Sequence, residues 1–131
     1  MAGEANLQEL IKGISPKLHD GEYVFCTVKN IDKIPRKDTI CEFKEQEGTT
    51  IVIEKNKADS LQLEYEFIAS WITLTIHSAL DAVGLTAAIA TELTKHKISC
   101  NVVAGYFHDH IFVDVKDAKL AINCLIRMSK I

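Results

Sequence analysis

The chain has 131 residues, 47% of them apolar and 25% charged, which suits one compact domain or two very small subdomains sharing a core and excludes a disordered chain. A chain of this length buries about two-thirds of its unfolded surface, so neither a disulfide nor a metal is needed to hold it together. Fifteen Lys and Arg stand against eighteen Asp and Glu, and the net charge of −3 leaves no basic excess for nucleic acid or anionic lipid.

No window approaches eighteen uninterrupted apolar residues, and the N-terminus lacks the basic, apolar and small-residue succession of a signal peptide, so a cytoplasmic protein is expected. Cys26, Cys41, Cys100 and Cys124 are far apart with no Cys-x-x-Cys pair, so reduced thiols are expected. Residues 1–65 hold nine basic and twelve acidic side chains, whereas residues 66–131 hold six of each. The second half has less polar surface to show water and calls for covering, by the first half or by another copy of the chain. A homodimer or larger homo-oligomer is the expectation.

In chain order, Leu7, Leu10, Ile11 and Ile14 recur at helical spacing ahead of Pro16 and predict a short helix over residues 6–14. After a turn at His19, Asp20 and Gly21, residues 22–28 alternate as a strand apolar on both faces. Residues 30–38, with Pro35, read as a loop. Thr39–Lys44 and Thr49–Glu54 form a hairpin about a polar turn ending in Gly48. A short helix near 57–63 leads into a long strand over 65–77, where Ile72, Leu74 and Ile76 share one face and Trp71, Thr73, Thr75 and His77 the other.

Leu85, Ala88, Ile89 and Leu93 mark the clearest helix, over 84–96. Strands over 98–105 and 111–115 flank a turn at 106–110, and a last helix starts after Asp117, read as its N-cap. The order from residue 67 is βαββα. On an antiparallel sheet with helices on one face, this is a ferredoxin-like α+β arrangement lacking its final strand. The first half, 1–65, is expected to supply it, through residues 22–28, to the second half, 66–131.

Three places could carry function. The connection from Ser78 to Thr86 joins a strand to the best helix through Gly84, and such a turn offers free N–H groups and the positive end of a helix dipole to a carboxylate or phosphate. A plain turn would also use that glycine. Tyr106, Phe107, His108, Asp109 and His110 crowd aromatic and ionisable groups into one turn, where Asp109 could neutralise an ammonium group. His108 and His110 lack a second closely spaced ligand pair, so no metal site is assigned. Asn101 begins a strand, and its amide could hold an amino acid or the strand's own backbone. No nucleophile elbow, phosphate-binding glycine loop or cysteine paired with a base is present, so no catalytic residue and no cofactor is assigned.

Residues 71–115 resemble the ACT domain, the small amino-acid-sensing module, in its aspartate-kinase-like type. The matching features are Ile72–Ile76, then Val83-Gly84-Leu85, the helix with Leu93, then residues 98–103, and Ile111–Val115. Gly21–Val28, Leu74–Ser78 and Val103–Val113 extend the resemblance to stand-alone bacterial ACT proteins with an ACT-like N-terminal half. That resemblance implies a regulatory module that acts on a separate protein partner and binds an amino acid between the loop after the first strand and the start of the second. It places the carboxylate at Ala82, Val83, Gly84 and Leu85, with Asn101 and Val102 on the opposite wall. Asp109, beside Tyr106 and Phe107, is similar to an acidic residue of the second hairpin. The alternatives are an assembly module whose cleft is filled by Leu80 or Val83, and a metal-assisted catalyst at His108 and His110.

Overall fold

A computed structural model of the chain describes residues 7–75 and 83–130, which form two compact units. One unit combines the residues through His19 with those from Ser70 onward, and the other is Asp20–Ala69.

In the first unit the apolar spacing of the N-terminal segment produces helix α1, Leu7–Lys12, which places Leu10 and Ile14 in the core. Strand β1, Pro16–Leu18, follows. From the other end of the chain come most of β5, Ile68–Leu74, then α3, Leu85–Lys95, β6, Asn101–Ala104, β7, Asp109–Asp114, and α4, Ala118–Ser129. The strand order is β1-β5-β7-β6. Ile72 and Leu74 of β5 and Ile111 and Val113 of β7 face Leu85, Ile89 and Leu93 of α3 and Ala121, Cys124 and Leu125 of α4. All three helices therefore cover one sheet face, as period-two strands and period-3.6 helices require.

The position beside β5 left vacant by the βαββα order is filled in two parts: residues 22–28, as the sequence suggests, pair with its first two residues, and Pro16–Leu18 with its last three. Pro16–Leu18 pairs antiparallel with Leu74, Thr73 and Ile72 in turn. Three residues opening with proline carry almost no strand signal, although proline is tolerated as the first residue of a strand. Strand β2, Tyr23–Val28, meets only Ala69 and Ile68 of β5, through Tyr23 and Val24.

The second unit repeats this topology in reduced form. Its strands are β2, then β3, Thr39–Lys44, and β4, Thr49–Glu54, in the order β3-β4-β2, with the first two residues of β5 on the far side of β2. Helix α2, Lys55–Ser60, follows β4 and buries Ala58 against Val24, Cys26, Ile51 and Ile53. Where the first unit has α3, this unit has two 3-10 turns, Ile31–Lys33 and Arg36–Asp38, with Ile34 buried between them.

Two helix ends differ from simple expectation. Asp117 makes no side-chain cap on α4; Asp114 accepts from the Lys116 N–H at 3.0 Å and caps a 3-10 turn, Val115–Asp117, that leads into the helix. At the end of α3, Ile98 N–H reaches Leu93 C=O at 3.1 Å and Lys97 N–H reaches Thr94 C=O at 2.9 Å, a Schellman closure with Lys97 at φ 61°. A left-handed lysine costs about 1 kcal/mol. Lys97→Gly is expected to raise the unfolding free energy by about that amount, read as a higher denaturation midpoint at unchanged slope.

Candidate functional site

Gly84 is the hinge of the strand-loop-helix connection. It holds φ 96° and ψ −13°, accepts the Ala88 N–H at 2.9 Å, and has no side chain with which to cap α3. With glycine at the N-cap position, the first-turn amides of this eleven-residue helix, at the positive end of its dipole, receive no side-chain cap from that position. The corresponding place in the second unit is closed: Asn30 Oδ1 accepts the Asp32 N–H at 3.0 Å at the start of the Ile31–Lys33 turn.

The other expected residues fall into separate places. Ala82 lies outside the described residues, as do His77 and Leu80. Val83 is 85% exposed and does not fill a cleft, whereas Leu85 is buried in the core. The Leu7 side chain, 3.4 Å from where a Gly84 Cβ would stand, lies over the glycine instead. Val102 pairs with Ile111 and packs with Cys100 against the same core as Leu85, leaving its backbone to line any wall.

The β6–β7 register sets Asn101 and Asp109 apart within one unit. Asn101 pairs with Phe112 at one end of the hairpin and Asp109 with Ala104 at the other, about 10 Å away. Asn101 shares the face of His110 and Phe112, while Asp109 has the parity of Ile111, on the helix-covered face. Within one unit the two side chains therefore cannot contact the same amino acid. Burial raises the Asp109 carboxyl above its ordinary value, opposed in part by His110. Tyr106 and Phe107, the tip of the hairpin, are 81% and 75% exposed and meet edge to face at 5.0 Å.

Among the described residues no group of three or more His, Cys, Asp and Glu side chains is placed to hold a metal ion. Burial pushes the Cys100 thiol up to about 11 and also raises Cys26 and Cys41, so none is an activated nucleophile. No helix among them is long and apolar enough to cross a membrane.

On the sheet face away from the helices, Trp71 and Thr73 of β5 meet His110 and Phe112 of β7. His19, just beyond β1, stacks on Trp71 with ring centroids 3.6 Å apart, and its Nε2 lies 2.7 Å from Thr73 Oγ1. Trp71 Nε1 donates to His110 Nδ1 at 3.1 Å, and Thr73 Oγ1 lies 3.0 Å from the same nitrogen. Phe112, 1% exposed, lies beside Trp71 with centroids 6.2 Å apart. The visible sequence signal is the alternation of Trp71 and Thr73 with Ile72 and Leu74; the partners, 37 and 54 residues away, are not.

The two units, each a small antiparallel sheet covered by helices with a βαββα-type order, define an ACT-like regulatory fold. The ACT domain family matches residues 2–70 and again residues 66–127, and the chain belongs to that family, with two ACT domains in tandem. The matches meet at residues 66–70, whereas the compact units exchange the segment through His19.

A Vibrio cholerae protein of unknown function, described as a possible transport protein, is 47% identical over 94% of this chain and 95% of its own, with a TM-score of 0.86. An Agrobacterium tumefaciens protein shares the fold at 17% identity and TM-score 0.72, over 88% of this chain and 89% of its own. E. coli aspartokinase III, solved with aspartate and ADP, shares it at 10% identity and TM-score 0.66, over 87% of this chain and 33% of the enzyme. No curated protein matches the sequence.

Proposed function

We propose that the chain is a non-catalytic regulatory module that binds a free amino acid at the start of α3, with the ligand carboxylate on the amides that follow Gly84. The observation that carries this reading is the left-handed, uncapped Gly84 at the head of an eleven-residue helix. The ACT family supports it, because small-ligand regulation is what such domains typically perform. The carboxylate takes the place of a side-chain cap and gains the dipole interaction. Val83 and Leu85 contribute through their backbone, and Asn101 and the Val102 backbone of a second copy of the chain form the opposite wall, since within one unit Asn101 lies on the sheet face away from α3. In this reading Asp109, Tyr106 and Phe107 approach the ligand from the hairpin end opposite to Asn101 of the same unit.

Because Asn30 closes the equivalent place in the second unit, one ligand per chain is expected. A thermal-shift screen of the twenty amino acids, followed by calorimetric titration, tests this. A ligand at 100 times its dissociation constant adds about 2.7 kcal/mol of stability. One selective hit at one ligand per chain is the expected result; two per chain would contradict the Asn30 argument, and a flat screen would reject the sensor.

The exposed Tyr106–Phe107 pair favours the second reading, an assembly module without a small molecule. A homodimer that dissociates on Phe107→Ser while the amino-acid screen stays flat would establish that role.

A further inference from the structure

The hydrogen bonds around Trp71 fix the proton positions of a small network. An indole N–H can only donate, so the Trp71 bond requires His110 Nδ1 to be unprotonated, with the proton on Nε2. If Thr73 gave its hydroxyl proton to His19, its oxygen would face the His110 Nδ1 lone pair at 3.0 Å. The consistent arrangement runs from His19 Nε2–H to Thr73, and from Thr73 O–H to His110, where the Trp71 N–H also converges.

The His110 ring in turn rests on the hairpin turn. Gly105 N–H donates to His108 C=O at 2.9 Å, and a Cβ at Gly105 would stand 3.2 Å from His110 Nε2 and 2.9 Å from the His108 carbonyl oxygen. Glycine is what lets the turn and the imidazole lie together. His110 thus links β5 to the turn that carries Tyr106 and Phe107.

We propose that His110 is a proton-operated latch: neutral, it pins the β6–β7 turn to Trp71 and Thr73, and protonated, it releases the indole and loosens the turn. On protonation Nδ1–H can donate to Thr73, and Thr73 can donate to His19 once His19 has shifted its proton to Nδ1. The Trp71 N–H cannot reverse, so its bond to His110 is the one that protonation breaks.

Among the described residues of this unit, the groups that bear on the equilibrium are His108 in the turn, Asp109 on β7, Lys17 on β1 and His19 just beyond it; Val103, opposite His110 on β6, carries no charge. Burial lowers the His110 pKa from its ordinary value; His108 acts in the same direction and Asp109 against it. The neutral form is therefore favoured by folding, and the latch opens below the ordinary histidine range.

Trp71 is the sole tryptophan, so its emission and its indole N–H resonance report on this bond. The test is an NMR titration of the full chain between about pH 5 and 8, with fluorescence followed in parallel. At neutral pH the His110 ring is expected as the Nε2–H tautomer, with a midpoint below about 6.5 and the indole signals moving at that midpoint. The indole transition should persist in His19→Gln and vanish in His110→Gln, whose amide oxygen accepts the indole proton without titrating. An Nδ1–H tautomer at neutral pH would overturn the latch. So would His110 titration that leaves Trp71 unmoved, or an indole transition that survives His110→Gln.

Discussion

Leu10→Ala is expected to lower the unfolding free energy by about 2–5 kcal/mol, the range for a leucine removed from a packed core. Leu10 belongs to a six-residue helix near the start of the chain, where changes are usually harmless. It is nevertheless 1% exposed and packs in one cluster with Ile72, Leu74, Leu85 and Met128, residues that enter the chain more than sixty positions later. A six-residue helix has almost no stability of its own, so α1 exists because that cluster holds it. Urea denaturation should show a lower midpoint at unchanged slope, against an exposed control, Leu120→Ala, that moves stability by no more than about 0.5 kcal/mol. A loss below about 1 kcal/mol at Leu10 would mean that α1 is merely laid on the surface. By the same physics, a fragment beginning at residue 66 leaves Ile72–Leu74 without the partner strand Pro16–Leu18, and is expected not to fold alone.

What could be read from the chain follows from how local the determining interactions are. The spacing of Leu85, Ile89 and Leu93 and of Ala121 and Leu125 declares two helices, and the alternation around Ile72 and Ile111 declares inward faces; each signal is complete within a dozen residues. Pro16–Leu18 is a strand only because β5 has an open edge beside it, a condition set nearly sixty residues away. The same holds for the candidate site. Gly84 announces its turn by residue type and the helix after it by pattern, but whether Asn101 and Asp109 converge depends on hairpin register, which puts them at opposite ends and on opposite faces. The His19, Trp71, Thr73 and His110 network comes from three strand-level elements, and no local spacing contains it.

Replacing Gly84 separates the shape of the backbone from the chemistry of the helix end. A β-branched residue opposes φ 96°, so Gly84→Val is expected to cost about 1–3 kcal/mol of stability and to abolish the ligand-dependent thermal shift. Loss of binding in that variant alone could reflect a displaced loop. Gly84→Asn resolves the ambiguity, since asparagine visits the left-handed region readily and its amide oxygen can cap the helix, as Asn30 does at the Ile31–Lys33 turn. Its unfolding free energy should stay within about 0.5 kcal/mol of the parent, because the new cap offsets the mild backbone cost. Its affinity for the amino acid found in the screen should fall about tenfold, the equivalent of about 1.4 kcal/mol, because the side chain now occupies the amides that the carboxylate requires. Equal affinity in a stable Gly84→Asn protein would show that the ligand does not sit on the α3 amides, whatever the valine variant does.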